Sequence, residues 1–102
     1  VKYRILVELQ VVGPLDRLDE VSDLLADALY DLHGADDTDL GTNLTTGCLH
    51  VTMIVEASDL EEAVARSLAA TRSAVHAVGG ATPGWDRSIR EVGTQARELA
   101  DV

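Results

Sequence analysis

Apolar and polar residues alternate from Lys2 to Val12, with Tyr3, Ile5, Val7, Leu9 and Val11 on one side and Lys2, Arg4, Leu6, Glu8 and Gln10 on the other. A period of two is that of a β-strand. Gly13-Pro14 ends it, because proline has no N–H for a ladder and glycine permits the turn. From Leu15 the period lengthens: Leu18, Val21, Leu25, Ala28, Leu29 and Leu32 recur every three or four positions, with Asp16, Asp19, Glu20, Asp23, Asp27 and Asp31 between them. This predicts an amphipathic helix with acidic residues in its first turn and His33-Gly34 as its C-terminal cap. Alternation returns in Thr38, Leu40, Thr42 and Leu44, and more strongly in Leu49, Val51, Met53, Val55 and Ala57, with hairpin chemistry at Thr45-Thr46-Gly47.

Ser58-Asp59-Leu60-Glu61 has the spacing of a capping box and predicts the start of a second helix. Its expected stripe is Leu60, Val64, Leu68, Thr71, Val75 and Val78, and Gly79-Gly80 is its expected stop. Trp85, Ile89, Val92, Ala96 and Leu99 fit a helical period, yet the strand count calls for one more strand. The expectation is a short edge strand over about 85–92 followed by a helical tail, with a wholly helical C-terminus as the alternative. No repeat, low-complexity tract or linker divides the chain, so residues 1–102 are read as one domain.

Strand, helix, strand, strand, helix, strand resembles the split βαβ, or ferredoxin-like, arrangement. The implied fold is α+β: an antiparallel βαββαβ sandwich with two helices on one sheet face and a short C-terminal tail. No signature motif ties the pattern to a named family within that group. Ligand-sensing domains, cofactor-free oxygenases and isomerases, metal carriers and RNA-binding modules all share it, so the fold alone names no activity. RNA-recognition modules resemble one another in an aromatic, basic third strand, whereas Cys48 to Val55 holds neither a ring nor a positive charge. Metal carriers of this fold resemble one another in a Cys-x-x-Cys loop after the first strand, where this chain has Val12-Gly13-Pro14-Leu15.

Composition narrows the field further. With 102 residues, 46% of them hydrophobic, no Phe and only Tyr3, Tyr30 and Trp85 as aromatics, the core is expected to be aliphatic. A formal net charge of −10, with scattered cations, argues against nucleic acid and against anionic membranes as partners. The absence of a long apolar run or a leader-like segment gives the expectation of a cytoplasmic protein. Cys48 stands alone, so no intrachain disulfide is possible, and its simplest role is that of a small strand hydrophobe. One Lys against seven Arg points to a GC-rich bacterial source.

Helices on one side of the sheet can cover only one face. If the first and third strands are neighbours, the other face presents Arg4, Leu6, Glu8 and Gln10 beside Cys48, His50, Thr52, Ile54 and Glu56. Such a face can stay wet, meet a second copy of itself, or wall a small-molecule pocket. The reading favoured is a non-enzymatic homo-oligomer, a homodimer in its simplest form, that associates through this face and binds a small molecule or a protein, with no cofactor. The rival is a cofactor-free isomerase or oxygenase of the dimeric α+β barrel type, with Glu8 orienting His50 for proton transfer. Against it stands the plainer role of a cross-strand Glu–His surface contact.

Cys48 and His50 share a face and could be two ligands of a soft metal, but no third ligand is evident and no metal is expected. His33 and His76 are read as C-terminal helix caps. Asp36-Asp37-Thr38-Asp39 lacks the register of a calcium loop and is read as solvated. Gly79-Gly80 and Pro83-Gly84 lack the lysine of a phosphate-binding loop and are read as turns. Trp85 is expected to pack at a strand or subunit edge.

Overall fold

The alternating segment at the start of the chain forms β1 (Lys2–Val11), with Tyr3, Ile5, Val7, Leu9 and Val11 all buried. A computed structural model describes residues 1–32, 35–81 and 85–99, and only the backbone at 35, 81, 85 and 86. After β1 come α1 (Leu18–Tyr30), β2 (Ala35–Thr42), β3 (Cys48–Glu56), α2 (Leu60–Ala81), the single turn α3 (Trp85–Ser88) and β4 (Ile89–Glu98). The four strands are antiparallel in the order β2-β3-β1-β4, so the first and third strands are indeed central neighbours. This is the ferredoxin-like α+β fold.

The core lies between one sheet face and the two long helices. The sheet contributes the buried β1 residues with Leu49, Val51, Met53 and Val55, and α1 contributes Leu18, Val21, Leu25 and Leu29. At roughly 1.5–3 kcal/mol for each fully buried large aliphatic side chain, these residues supply most of the driving force for folding.

Several boundaries differ from those expected. Helix α1 begins at Leu18, with Leu18 N–H donating to the Leu15 carbonyl in the preceding turn, and it ends at Tyr30; the expected His33-Gly34 cap lies outside the described residues. Strand β2 is shifted toward the N-terminus of its expected range, because its register breaks between Asp36 and Asp39, where Asp37 adopts φ 48°. Leu44, expected in that strand, is in the hairpin turn and exposed.

The capping box at α2 is offset by one residue. Asp59 Oδ1 accepts from Glu62 N–H at 2.8 Å, while the Glu62 carboxylate accepts from the Ser58 hydroxyl and, at 3.4 Å, from the Ser58 N–H; Glu61 takes no part. These bonds to Ser58 hold the Glu62 carboxyl below the usual carboxylate range, helped by the Arg66 guanidinium. The helix then passes through Gly79-Gly80, the expected stop, to Ala81. Its buried stripe is also rotated from the expected one: Ala63, Ser67, Thr71, Ala74 and Val78 face the sheet, and Leu60 is exposed. Small residues let the helix backbone sit close to the sheet. The two buried hydroxyls are satisfied within the helix, Ser67 Oγ donating to the Ala63 carbonyl at 2.7 Å and Thr71 Oγ1 to the Ser67 carbonyl at 2.8 Å.

The C-terminal segment reverses the expected order. The turn of helix comes first, at 85–88, and the edge strand runs on to Glu98 where a helical tail was expected. Its pairing with β1 slips between Glu8 and Leu9, so that Gly93 faces Glu8 and Glu91 faces Leu9, leaving Val92 as the extra residue of a bulge. That inserted residue resets the alternation and gives the segment its helix-like spacing.

Candidate functional site

The sheet face turned away from the helices is built by register. Across β2, β3, β1 and β4 one row reads Asp36, Ile54, Arg4, Arg97, and the next reads Asp39, Thr52, Leu6, Gln95. A third reads Gly41, His50, Glu8, Gly93, and Gln10 pairs with both Cys48 and Arg90. Lys2 pairs with Glu56 at the margin. All nine residues expected on this face are therefore on it. Leu6, Thr52 and Ile54 form a half-buried apolar strip, while Arg4, His50 and Glu56 are exposed.

The side chains do not all engage as their registers suggest. Glu8 and His50 are direct cross-strand partners, but no hydrogen bond joins them. The Glu8 carboxylate leans over β4, its Oε2 lying 3.5 Å from where a Cβ on Gly93 would be. His50 Nε2 instead lies 3.3 Å from Cys48 Sγ. Among the described residues no group of three His, Cys, Asp or Glu side chains gathers around that pair or elsewhere. Gln10 is structural: its amide donates to the Thr46 carbonyl at 2.7 Å and to the Val11 carbonyl at 3.2 Å, pinning the β2–β3 turn to β1.

Among the described residues, two hollows open on this face. One of about 480 Å³ is lined by Arg4, Leu6, Thr52, Gln95, Ala96 and Arg97. The other, of about 290 Å³, lies beside Cys48 and His50 and is completed by Gly41, Thr42 and Asn43. A third and larger cleft, about 560 Å³, lies on the helix side between α2 and β4. Leu9, Val75 and Ile89 give it apolar walls, and Thr71, Arg72, His76, Arg90 and Glu91 give it polar groups. Arg72 Nε and Nη2 donate to the two Glu91 carboxylate oxygens at 2.9 and 3.2 Å, a fork that ties the helix to the edge strand. His76 lies five residues before the end of α2 and lines this cleft, so it is not the terminal cap expected of it.

Sequence reasoning missed Gln95, Arg97 and the α2–β4 cleft together, since all depend on β4 being a strand. The available signal was the alternation of Thr94, Gln95, Ala96 and Arg97, hidden by the bulge at Val92. Among the described residues no helix is long and apolar enough to cross a membrane.

No protein-family profile matches the sequence, and no curated protein is close enough in sequence to count as a relative. Solved structures do resemble it. A proposed antibiotic biosynthesis monooxygenase from Chloroflexus aurantiacus superposes with a TM-score of 0.64 at 9% identity, over 100% of this chain and 96% of the other. Rv0793 from Mycobacterium tuberculosis gives 0.55 at 13% identity, over 100% and 98%. A second proposed antibiotic biosynthesis monooxygenase, from Deinococcus radiodurans, gives 0.54 at 15%, over 98% and 94%. The chain shares their fold. At these identities the likeness extends to architecture and not to chemistry.

Proposed function

We propose that the chain is a small-molecule-binding module that works as a homodimer, two copies stacking through the sheet faces their helices leave bare. The observation that carries this reading is the half-buried strip of Leu6, Thr52 and Ile54 in the middle of that face, which no helix or strand among the described residues covers. Four strands at about 4.8 Å spacing and about nine residues long cover on the order of 600 Å² of sheet plane, before the relief of side chains is added. A stable interface needs about 800 Å² from each partner, so the face is of the right size. The ligand would enter the α2–β4 cleft, whose apolar walls and few polar groups suit a small organic molecule.

Light scattering tests the assembly. Wild type at tens of micromolar is expected to have the mass of a dimer, and Ile54→Lys, which places a charge in the centre of the face, that of a monomer. A monomeric wild type refutes the reading.

The names of two of the similar structures, proposed antibiotic biosynthesis monooxygenases, lend some support to a second reading, the oxygenase side of the cofactor-free oxygenase or isomerase alternative. Glu8 and His50 are its candidate proton-transfer pair, already cross-strand partners and separated only by side-chain rotation. Oxygen uptake with small aromatic compounds should then fall by at least tenfold in both Glu8→Gln and His50→Ala. Uptake unaffected by either substitution removes the pair from the chemistry.

A further inference from the structure

The bare sheet face is divided by charge. Its β2 edge carries Asp36 and Asp39 in two successive rows, while the β1–β4 half, which holds Glu8 further along, carries Arg4 and Arg97 together in the row of Asp36. Arg4 and Arg97 are direct cross-strand partners, a like-charge juxtaposition that is unfavourable when left alone. The chain holds 18 acidic side chains against 8 basic ones, and Arg17, Arg66 and Arg72 each have a carboxylate. Among the described residues Arg4 and Arg97 have none, although together they line the 480 Å³ hollow with the Thr52 hydroxyl and the Gln95 amide. In a chain so rich in carboxylates, two adjacent guanidiniums with no internal partner mark a place where an external carboxylate belongs.

We propose that this carboxylate comes from the second copy: the two sheets stack about a two-fold axis parallel to their strands, and Asp36 and Asp39 of each copy enter the Arg4–Arg97 hollow of the other. The proposal rests on the sheet-face dimer and specifies its geometry. Rotation about an axis along the strands keeps each row at its height and exchanges left for right. Strand β2 of one copy then lies over β4 of the other, and β3 over β1, which puts Asp36 above Arg97, Asp39 above Gln95, and Thr52 above Leu6. Stacked sheets lie about 10 Å apart, a gap that an arginine and an aspartate reaching from opposite sides span together. The alternative axis, across the strands, lays β2 on β2 and β4 on β4, and where it passes near these rows it sets aspartate against aspartate or arginine against arginine. Charge complementarity selects the first arrangement.

The two arrangements respond differently to charge reversal, which makes the test decisive: like-on-like contacts stay like-on-like when one side of the face is reversed. In the proposed one, Asp36→Arg/Asp39→Arg alone and Arg4→Glu/Arg97→Glu alone each place like charges together, and each should weaken the dimer at least tenfold by sedimentation equilibrium. All four substitutions in one chain restore opposite charges and should return the dimer to within a fewfold of wild type. Sodium chloride should favour either half-reversed dimer more than it favours that of the wild type, because it screens the added like-charge contacts. The altered residues lie on an open face, and circular dichroism will verify that each variant is folded.

A wild-type dimer indifferent to both half reversals overturns the proposed axis while leaving the sheet-face dimer standing; a monomeric wild type removes both. If the dimer ignores the reversals and calorimetry detects acetate binding to wild type but not to Arg4→Glu/Arg97→Glu, the hollow serves a free carboxylate and the proposal is overturned.

Discussion

Adding one methyl group to each of two glycines should move the stability of this protein in opposite directions. Gly47 closes the β2–β3 hairpin at φ +77°, where an L-residue is strained by about 1–2 kcal/mol. A Cβ there would lie 2.9 Å from Leu15 Cδ2, 3.2 Å from Gln10 Nε2 and 3.3 Å from Val11 Cβ. The Leu15 methyl can turn aside, but Val11 is buried in β1, and moving the Gln10 amide breaks its 2.7 Å bond to the Thr46 carbonyl. Because the Leu15 methyl can move, crowding should cost about 1–2 kcal/mol, in the lower part of the range for overpacking, so Gly47→Ala should destabilise by about 2–4 kcal/mol in all. Gly80 lies near the end of α2 with nothing within 4 Å of a Cβ and no positive φ, so alanine there should stabilise by about 0.5 kcal/mol through its lower chain entropy. Urea unfolding followed by circular dichroism, at one fixed protein concentration so that association cancels, gives both numbers. With a slope near 1 kcal/mol per molar urea, the Gly47→Ala midpoint should fall by about 2–4 M, and the Gly80→Ala midpoint should rise by about half a molar. A Gly47→Ala chain within about 0.5 kcal/mol of wild type would refute the account of the turn.

Two pH effects follow from the groups with shifted acidities. The Glu62 carboxyl is held down by the Ser58 hydroxyl and N–H, so the stabilisation it gives α2 is complete above the ordinary glutamate range and is lost as pH falls through its lowered folded value; Ser58→Ala should flatten the acid limb of stability measured from pH 5 to 2. The Tyr3 phenol is pushed up by burial, and then by the charges of Glu98 and Asp59, so stability should be lost as pH rises from the ordinary tyrosine value through the raised one; Tyr3→Phe should remove that alkaline loss, and an unchanged profile to pH 12 would contradict it.

The parts of the fold that were legible in the sequence are those whose neighbours lie on both sides. β1 and β3 are central and buried on their inner face, so their alternation is uninterrupted and their register, including Glu8 opposite His50, could be anticipated. The edge strands were placed only approximately, because each meets a partner on one side only and each contains a slipped register, at Asp36–Asp39 in β2 and at Val92 in β4. A single inserted residue shifts the period and disguises a strand as a helix. Helix α2 was misread for a different reason. Hydrophobic periodicity finds the bulkiest stripe, whereas a helix lying close on a sheet turns its smallest side chains inward, here Ala63, Ser67, Thr71 and Ala74. Of the candidate site, the two central columns were legible; Gln95, Arg97 and the α2–β4 cleft required knowing what docks against β4.

The slipped registers at both margins of the sheet also limit how the molecule can multiply. An exposed strand with an even ladder invites another strand to add to it, and then another, without end. Here neither margin offers an even ladder: β2 is kinked and lined with Asp36, Asp37 and Asp39, and β4 is bulged and studded with Arg90, Glu91, Arg97 and Glu98. Growth sideways into ribbons or fibrils is thereby discouraged, and the proposed sheet-face dimer would consume the bare face as well. Such an assembly would stop at two.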